Sequence, residues 1–106
     1  MILYFAPLLG LVDQQYLKIW EKHFSGVDRI YGPFLTFNHE STALSHKLLQ
    51  DFQLQTPYVP QFLSSQWSYA RRPLEVWYQS YARVNWNLGC PYPRIIRKGR
   101  GAGLLE

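Results

Sequence analysis

The sequence has few of the residues that build disulfides or metal centres. Its single cysteine, Cys90, excludes an internal disulfide and gives no metal-site spacing, which is typical of proteins in a reducing cytoplasm. The three histidines show no ligand spacing. The apolar opening, MILYFAPLLGLV, lacks a basic leader, is interrupted by proline and glycine, and is too short to cross a bilayer. We therefore expect a cytoplasmic protein without metal or membrane contact, whose first residues form a buried strand.

Length and charge limit the classes of protein to consider. With 106 residues, of which 47% are hydrophobic, the chain can build one domain at most, with a modest core. It has no low-complexity tail and no obvious repeat. The formal net charge is +4, and much of the excess follows Cys90. A basic balance favours polyanions such as RNA as partners, although it is equally common in soluble proteins without such a partner.

Segments of strand and helix character alternate along the chain. Strand composition occurs at residues 2–6, 29–36, 58–63 and 84–88. Helical periodicity occurs at residues 14–23, from 41 or 42 to 51, and at 74–81. Strands and helices that alternate over short connections predict an α/β fold with a parallel sheet.

The predicted helices carry start and stop signals. Asp13 is expected to cap the first helix and Gly26 to close it. Pro73 is expected in the first turn of the helix at 74–81, where no intrahelical hydrogen bond is lost. Helical spacing predicts one apolar stripe on the first helix, formed by Tyr16, Trp20, His23 and Phe24.

The stretch VNWNLGCPYPRIIRKGRGAGLL, residues 84–105, carries the candidate chemistry. On a strand, Asn85 and Asn87 point to one face, with Trp86 and Leu88 on the other. Asparagine is a poor strand former, so a pair of them just before Cys90 indicates a site. A basic run follows within a few positions and comprises Arg94, Arg97, Lys98 and Arg100.

This stretch resembles the signature of the tRNA-dihydrouridine synthases, flavoenzymes that reduce particular uridines in transfer RNA. Their signature runs Asn-x-Gly-Cys-Pro, a basic segment, and Gly-x-Gly-Ala-x-Leu-Leu, which appears here as NLGCP and RIIRKGRGAGLL. Two further landmarks occur in the same order. APLLG followed by Asp13 is similar to the opening Ala-Pro-Met-x-Gly-x-Thr-Asp, with Leu8 at the usual methionine. Val59-Pro60-Gln61 is similar to the strand that brings a glutamine to the flavin.

The resemblance implies a fold and an extent. The family builds an eight-stranded (β/α)8 TIM barrel, which needs roughly 250 residues. Residues 1–106 would supply parallel βα units forming about the first half of that barrel, as a partial, truncated domain. The second half of the barrel and the helical RNA-binding domain have no counterpart here. We expect an open sheet edge that self-association or a missing barrel half would cover.

The resemblance also implies an activity and its residues. NADPH would reduce flavin mononucleotide (FMN), and the flavin would reduce a uridine flipped out of tRNA. Cys90 would be the general acid, because a thiol that is protonated near neutral pH suits that task. The other roles carried over are flavin binding by Ala6, Pro7, Leu8 and Gln61, placement of the uracil or flavin by Asn87, and tRNA phosphate binding by Arg94, Arg97, Lys98 and Arg100.

Each role has an alternative that the residues leave open. A lone cysteine is commonly a small buried apolar group, Asn87 would cap a turn, and Gln61 would be a solvated strand end. Ala6, Pro7 and Leu8 would simply end a strand, and a basic run is usually a solvated loop. The GRGAG sequence matches neither GxxxxGK[ST] nor GxGxxG. The rival to an enzyme is a catalytically inactive half-barrel or RNA-binding module that needs a partner half.

Residues 64–83, SSQWSYARRPLEVWYQSYAR, depart from the family pattern. Family members usually carry a glycine-led loop and an alanine-rich helix there. Either genuine divergence or a frame error in the gene would account for the difference. The aromatic residues in this segment would either stack RNA bases or belong to the core; they are Trp67, Tyr69, Trp77, Tyr78 and Tyr81.

Overall fold

The computed structural model describes residues 1–41 and 52–106. The elements of these residues, in chain order, are β1 (Tyr4–Phe5), α1 (Gln14–His23), β2 (Arg29–Thr36), β3 (Tyr58–Leu63), α2 (Trp67–Trp77), β4 (Asn85–Trp86) and α3 (Pro93–Ile96). A short 3-10 helix, Gly101–Leu104, follows α3. Helix α1 and strands β2 and β3 have the bounds that the sequence predicts. The helix predicted from residue 41 or 42 to 51 lies outside the described residues.

The described strands form one parallel sheet whose spatial order, β1-β2-β3-β4, repeats their order in the sequence. In a (β/α)8 barrel each successive strand is added to the same edge of the sheet. In a doubly wound fold the order of the strands reverses at a switch point. Helix α1 connects β1 to β2, and α2 connects β3 to β4. The expected α/β fold, built from parallel βα units of the TIM-barrel kind, is therefore confirmed.

The outer strands are shorter than predicted. Strands β1 and β4 have two residues each, and within the described chain each pairs on one side only. Pro7 follows β1 and has no N–H to extend the ladder. After β4, the side chain of Asn87 bonds to the N–H groups of the next turn and ends the strand. No helix in the described part of the chain has the length and apolarity to cross a membrane.

Helix α1 begins as predicted, but the face that it presents to the core overlaps the predicted stripe only in part. The Oδ1 of Asp13 accepts a hydrogen bond from the N–H of Tyr16 at 2.7 Å, which caps the first turn. Leu17 is the fully buried residue of α1 and packs in the same cluster as Ile30, whereas Tyr16 and His23 are exposed. The predicted stripe is therefore confirmed at Trp20, which is partly buried and packs against this cluster. It is wrong at its other members, which are exposed, and the aliphatic Leu17 takes their place in the core.

Gly26 serves the turn after α1 and does not end the helix. Helix α1 ends at His23, and Phe24, in an extended conformation, is its cap. Gly26 has a φ of +96°, a conformation that residues with a side chain rarely adopt. The turn returns the chain to Asp28, whose N–H donates to the carbonyl of Leu3 at 2.8 Å.

The helix predicted at 74–81 is wrong at both ends, because α2 runs from Trp67 to Trp77. Pro73 lies inside the helix, where it removes one backbone donor. Ala70, Leu74 and Trp77 are buried at positions that share one helical face. The burial of these side chains offsets the cost of a proline inside the helix. Sequence propensity alone takes Pro73 as a sign that a helix begins.

The aromatic residues of residues 64–83 divide between core and surface. Trp77 is fully buried, with its ring 5.1 Å from that of Phe37 in an edge-on contact. The buried Tyr81 donates a hydrogen bond from its hydroxyl to the carbonyl of Phe52 at 2.8 Å. Trp67 and Tyr78 are more than half exposed. The core alternative is therefore confirmed for Trp77 and Tyr81.

Strand β2 is irregular at Gly32 and Pro33. Its pairing with β3 runs from Tyr31 opposite Val59 to Phe34 opposite Gln61, so β2 contains an extra residue. A β-bulge of this kind bends the strand and re-aims its side chains. It turns Phe34 toward the end of the sheet where β1 and β4 stop.

The ring of Tyr58 occupies the space that a side chain at position 32 would need. A Cβ built on Gly32 would lie 1.7 Å from the hydroxyl oxygen of Tyr58. The ring also contacts Phe52 and Tyr81, at centroid distances of 4.9 and 5.6 Å. Burial raises the pKa of Tyr58, and the neighbouring Tyr81 adds to the shift, so the phenol stays neutral. A glycine is therefore required at position 32 for the ring of Tyr58 on β3 to pack against β2.

The carboxylate of Glu21 joins α1 to the segment before β3. Its two oxygens accept hydrogen bonds from the N–H groups of Gln55, at 2.9 Å, and Thr56, at 2.6 Å. Burial by itself raises the pKa of Glu21, but the hydrogen bonds from Thr56 and Gln55 outweigh it and hold the pKa below its ordinary value. The charged form of Glu21 therefore stabilises the fold.

We predict that Gly32→Ala lowers the free energy of unfolding by about 2 kcal/mol, because the added methyl group overpacks against Tyr58. In a Tyr58→Val background the same change should cost about 0.5 kcal/mol or less, since the ring is gone. Urea unfolding of the four proteins measures both values. Equal costs in the two backgrounds would show that the contact with Tyr58 is not the cause.

We predict that Glu21 makes the stability depend on pH. Because its pKa is lowered in the folded state, its contribution is fully present above the ordinary value of 4.5 and is lost as the pH falls through the lower folded value. Glu21→Gln should lower the free energy of unfolding at pH 7 by about 1 kcal/mol and flatten the acid limb. The control Glu75→Gln, which removes only an exposed pair with Arg71, should leave that limb steep.

Candidate active site

A cleft of about 550 Å³ opens where β1 and β4 end. Carboxyl ends of parallel strands are the usual position of ligand sites in α/β sheets and barrels. The cleft takes its walls from the loop after β1, the bulge of β2, the buried Gln61 of β3, and β4 with its following loop. The lining residues are Ala6, Pro7, Leu8, Leu9, Pro33, Phe34, Gln61, Asn85, Trp86, Asn87, Leu88, Gly89, Cys90 and Tyr92.

Two amide side chains link three strands across the floor of the cleft. The Nε2 of Gln61 donates a hydrogen bond to the carbonyl of Gly32 at 3.0 Å. The Oε1 of Gln61 accepts a hydrogen bond from the Nδ2 of Asn87. Gln61 is 8% exposed, so these bonds replace water that its amide would otherwise require. Gln61 therefore holds the loop after β4 against the bulge of β2.

Asn87 passes this restraint on to the cysteine. Its Oδ1 accepts hydrogen bonds from the N–H groups of Gly89, at 3.1 Å, and Cys90, at 3.0 Å. An asparagine side chain that bonds to the backbone two and three residues ahead closes a tight turn. The turn-capping alternative for Asn87 is thus what the structure shows, and it coexists with a place in the cleft. One nitrogen-bound hydrogen of each amide remains available to a ligand.

The glycine-rich segment packs against the cysteine loop. Gly101 has a φ of +58°, and a Cβ at this position would lie 2.7 Å from the carbonyl oxygen of Cys90 and 2.9 Å from its Cβ. The N–H of Ala102 donates to the same carbonyl at 3.1 Å. The GRGAG sequence therefore provides a close backbone approach to Cys90. This role could have been suspected from the glycine spacing alone, but the partner could not.

Cys90 lies between these two supports and lines the cleft. The residue is 8% exposed and is one of the residues that line the cleft. Its backbone is held by Asn87 on one side and by Gly101 and Ala102 on the other. Cys90 is therefore both a buried small residue and a cleft residue.

The candidate residues at the start of the chain also line the cleft. Ala6, Pro7 and Leu8 follow β1 directly, and Leu8 is 65% exposed. The structure thus brings Ala6, Pro7, Leu8, Gln61, Asn87 and Cys90 together around one space. The described residues that line it include no carboxylate, so the cleft carries no negative charge of its own.

The basic run does not reach this cleft. Arg94, Lys98 and Arg100 line a second, smaller cleft of about 190 Å³, together with Leu9, Phe34, Thr36, Leu63 and Ile95. Arg97 is exposed and is not among its lining residues, and its Nε donates to the carbonyl of Pro93 at 3.3 Å. Leu9 and Phe34 line both clefts.

The sequence pointed to neither Phe34 nor Tyr92 as a cleft residue. Phe34 reaches the cleft because the bulge at Gly32 and Pro33 changes the alternation of β2. A glycine and a proline inside a strand are a recognised bulge signal, so this residue could have been found. Tyr92 carries no comparable signal, because its position depends on how α3 follows the cysteine loop.

The chain was compared with protein families, curated proteins and solved structures. A family model described as dihydrouridine synthase (Dus) matches residues 4–106. The matched range contains the segment 64–83 and every candidate residue named above. No curated protein and no solved structure gives a significant match.

We predict that Gly101→Ala displaces Cys90 and exposes its thiol, because the new methyl group collides with the cysteine backbone. The rate of modification by a thiol reagent should rise at least tenfold. Gly99→Ala is the matched control: its φ of +62° imposes the same backbone strain, but the nearest atom is the Cβ of Ser65 at 3.8 Å. Equal thiol reactivity in the two variants would show that Gly101 does not seat Cys90.

Proposed function

The chain belongs to the dihydrouridine synthase family, and we propose that its cleft carries out the flavin-dependent reduction of uridine to dihydrouridine in tRNA. The family acts on tRNA and makes dihydrouridine. The observation that supports this proposal for the present chain is the convergence of the family-like residues on one cleft. They come from three separate stretches of the sequence: Ala6, Pro7 and Leu8; Gln61; and Asn87 with Cys90.

The residues of the cleft fit a flavin. The volume of the cleft, about 550 Å³, falls within the range of small-molecule sites, roughly 300–1,000 Å³. Apolar walls from Leu8, Phe34 and Trp86 suit the face of a flat aromatic ring. The free amide hydrogens of Gln61 and Asn87 suit the carbonyl edge of its pyrimidine end. We propose that Ala6, Pro7, Leu8 and Gln61 hold FMN there, and that NADPH is the reductant.

The chemistry that a reduced flavin would supply at this site is a hydride for C6 of the uracil ring. The remaining step is a proton transfer to C5, and we assign it to the Sγ–H of Cys90 as the general acid. The sulfur is left as a thiolate and regains its proton from solvent. The carbon–carbon double bond of uracil is thereby reduced by one hydride and one proton.

The amide network positions Cys90 for this transfer. Proton donation requires the donor atom within hydrogen-bonding reach of the acceptor carbon, and small displacements are costly. Asn87 and Gly101 hold the cysteine loop from both sides without any ligand. A loop that is held in this way before the substrate arrives supports the assignment of Cys90 as the donor.

The substrate has to leave its helix or loop stack to enter the cleft. C5 and C6 of a stacked uridine are covered by neighbouring bases, so we expect the nucleotide to be flipped. The net positive charge of the chain favours the approach of tRNA by long-range attraction. Of the basic run, the residues that line the smaller cleft, Arg94, Lys98 and Arg100, are our candidates for contacts to its phosphates.

The second candidate function is a module that needs a partner half. Strands β1 and β4 each pair on one side only in the described chain, and a closed barrel has eight strands. A second copy or a separate chain would cover these edges by adding strands. Flavin binding separates the two candidates, because the first requires FMN to bind stoichiometrically to the chain as it stands.

We predict that Cys90→Ala lowers the rate of uridine reduction by about 10²–10⁴ because the proton donor is lost. Reduction of the bound flavin by NADPH and the affinity for tRNA should stay near wild type. The control is Tyr92→Phe, which removes the exposed hydroxyl that also lines the cleft and should retain activity.

The measurements are dihydrouridine formation in a tRNA transcript and the visible spectrum of bound flavin. Undiminished turnover by Cys90→Ala would remove Cys90 from the mechanism. Absence of a flavin band after addition of FMN to the wild-type chain would favour the module that needs a partner half.

A further inference from the structure

The basic run is divided by the fold into two unequal parts. Arg94, Lys98 and Arg100 converge on the smaller cleft, whose other walls include Leu9, Phe34 and Leu63. Side chains of like charge repel one another, and water screens that repulsion least at Arg100, which is partly buried while Arg94 and Lys98 are exposed. Three cations that line one small cleft favour the binding of an anion there.

Arg100 provides the second observation. Its Nε is buried and has no hydrogen-bond partner in the described chain. A buried donor without a partner is uncommon, and for a charged group it is costly. The residue lies between Gly99 and Gly101, which have φ values of +62° and +58°. The chain therefore turns sharply on both sides of Arg100, in conformations that residues with a side chain rarely adopt, and Arg100 lines the smaller cleft.

No described carboxylate neutralises these three cations. The ion pairs of the described residues are His39 with Glu40 and Arg71 with Glu75, both on other parts of the surface. Thr36 is the further polar residue of the smaller cleft, and its hydroxyl is able to donate to an anion. The described residues that line the smaller cleft thus offer hydrogen-bond donors and positive charge, and they include no carboxylate.

We propose that this smaller cleft, defined by Arg94, Lys98 and Arg100, binds one phosphate ester group of a ligand whose base or ring lies in the main cleft. The two clefts share Leu9 and Phe34 as walls, so one ligand can extend across both. A planar guanidinium and a lysine ammonium together match the oxygens of a phosphate. The phosphate belongs either to the RNA backbone beside the flipped uridine or to the flavin.

Arg97 is excluded from this subsite although it belongs to the same run. It does not line the smaller cleft, and its Nε donates to the carbonyl of Pro93. If it contacts RNA at all, it does so as a surface charge, with a small and salt-screened effect. The proposal therefore distinguishes residues that sequence alone treats as equivalent.

The test compares Arg100→Gln and Lys98→Gln with the matched control Arg97→Gln in the full chain. One arm measures the affinity for an unmodified tRNA transcript across a salt series. The other arm measures the affinities for FMN and for riboflavin, which lacks the phosphate. Neither arm needs turnover, so failure of the proposed activity, which underlies this inference, is recorded separately by the dihydrouridine assay. Lys98 is exposed, so its replacement does not threaten the fold.

If the bound phosphate belongs to RNA, Arg100→Gln and Lys98→Gln should each weaken tRNA binding about tenfold. The slope of log affinity against log salt concentration should fall in magnitude by about one. Arg97→Gln should change the affinity by about twofold or less. A flavin phosphate predicts instead that the preference for FMN over riboflavin disappears in the same two variants while tRNA binding holds. The proposal is overturned if neither arm separates these variants from Arg97→Gln, or if the wild-type chain binds neither tRNA nor FMN.

Discussion

The hydrogen bond between Gln61 and Asn87 is the interaction on which the candidate site depends most. It joins residues 26 positions apart in the sequence and connects the central strand β3 to the loop that carries Cys90. Gln61 also bonds to the bulge of β2, so a single side chain sets the relative positions of three walls of the cleft. Removal of either amide would leave its partner with an unmet hydrogen bond, at a cost of about 1–3 kcal/mol.

Close backbone approaches complement this polar network. At Gly32 the missing side chain admits the ring of Tyr58, and at Gly101 it admits the backbone of Cys90. The contact at Gly101 is rigid because no rotamer change relieves a collision with a backbone atom, and at Gly32 the ring of Tyr58 is confined by Phe52 and Tyr81. The cysteine loop is therefore held by directional hydrogen bonds on one side and by steric fit on the other. Neither restraint alone would fix both its distance from β3 and its orientation.

Local patterns predicted the parts of the fold that local chemistry determines. Helix α1, β2 and β3 have the predicted bounds because a capping aspartate, a turn and apolar alternation all agree there. Helix α2 could not be predicted correctly, since Pro73 reads as a start signal and only the packing of Trp77 overrides it. On α1 the prediction found Trp20 but missed Leu17, because the tertiary packing against the sheet decides which side chains of a helix are buried.

The same distinction applies to the site. The family resemblance gathered residues from three stretches of sequence, and the parallel sheet places them around one cleft. The amide bonds of Gln61, the contact of Gly101 with Cys90 and the separation of Arg97 from its basic neighbours are long-range geometry. Periodicity and composition contain no information on such pairings, so these features required the fold.

The division of polar groups between the two clefts suits a nucleotide better than a free base. The main cleft offers apolar walls, amides and a thiol, which match a uracil or flavin ring, while the adjoining cleft offers positive charge. Arg100 is followed directly by Gly101, the residue that packs on Cys90. A phosphate bound by Arg100 would therefore stabilise the segment that supports Cys90, the proposed proton donor. Binding energy from a group remote from the reacting bond would then help to keep the thiol in its reactive position.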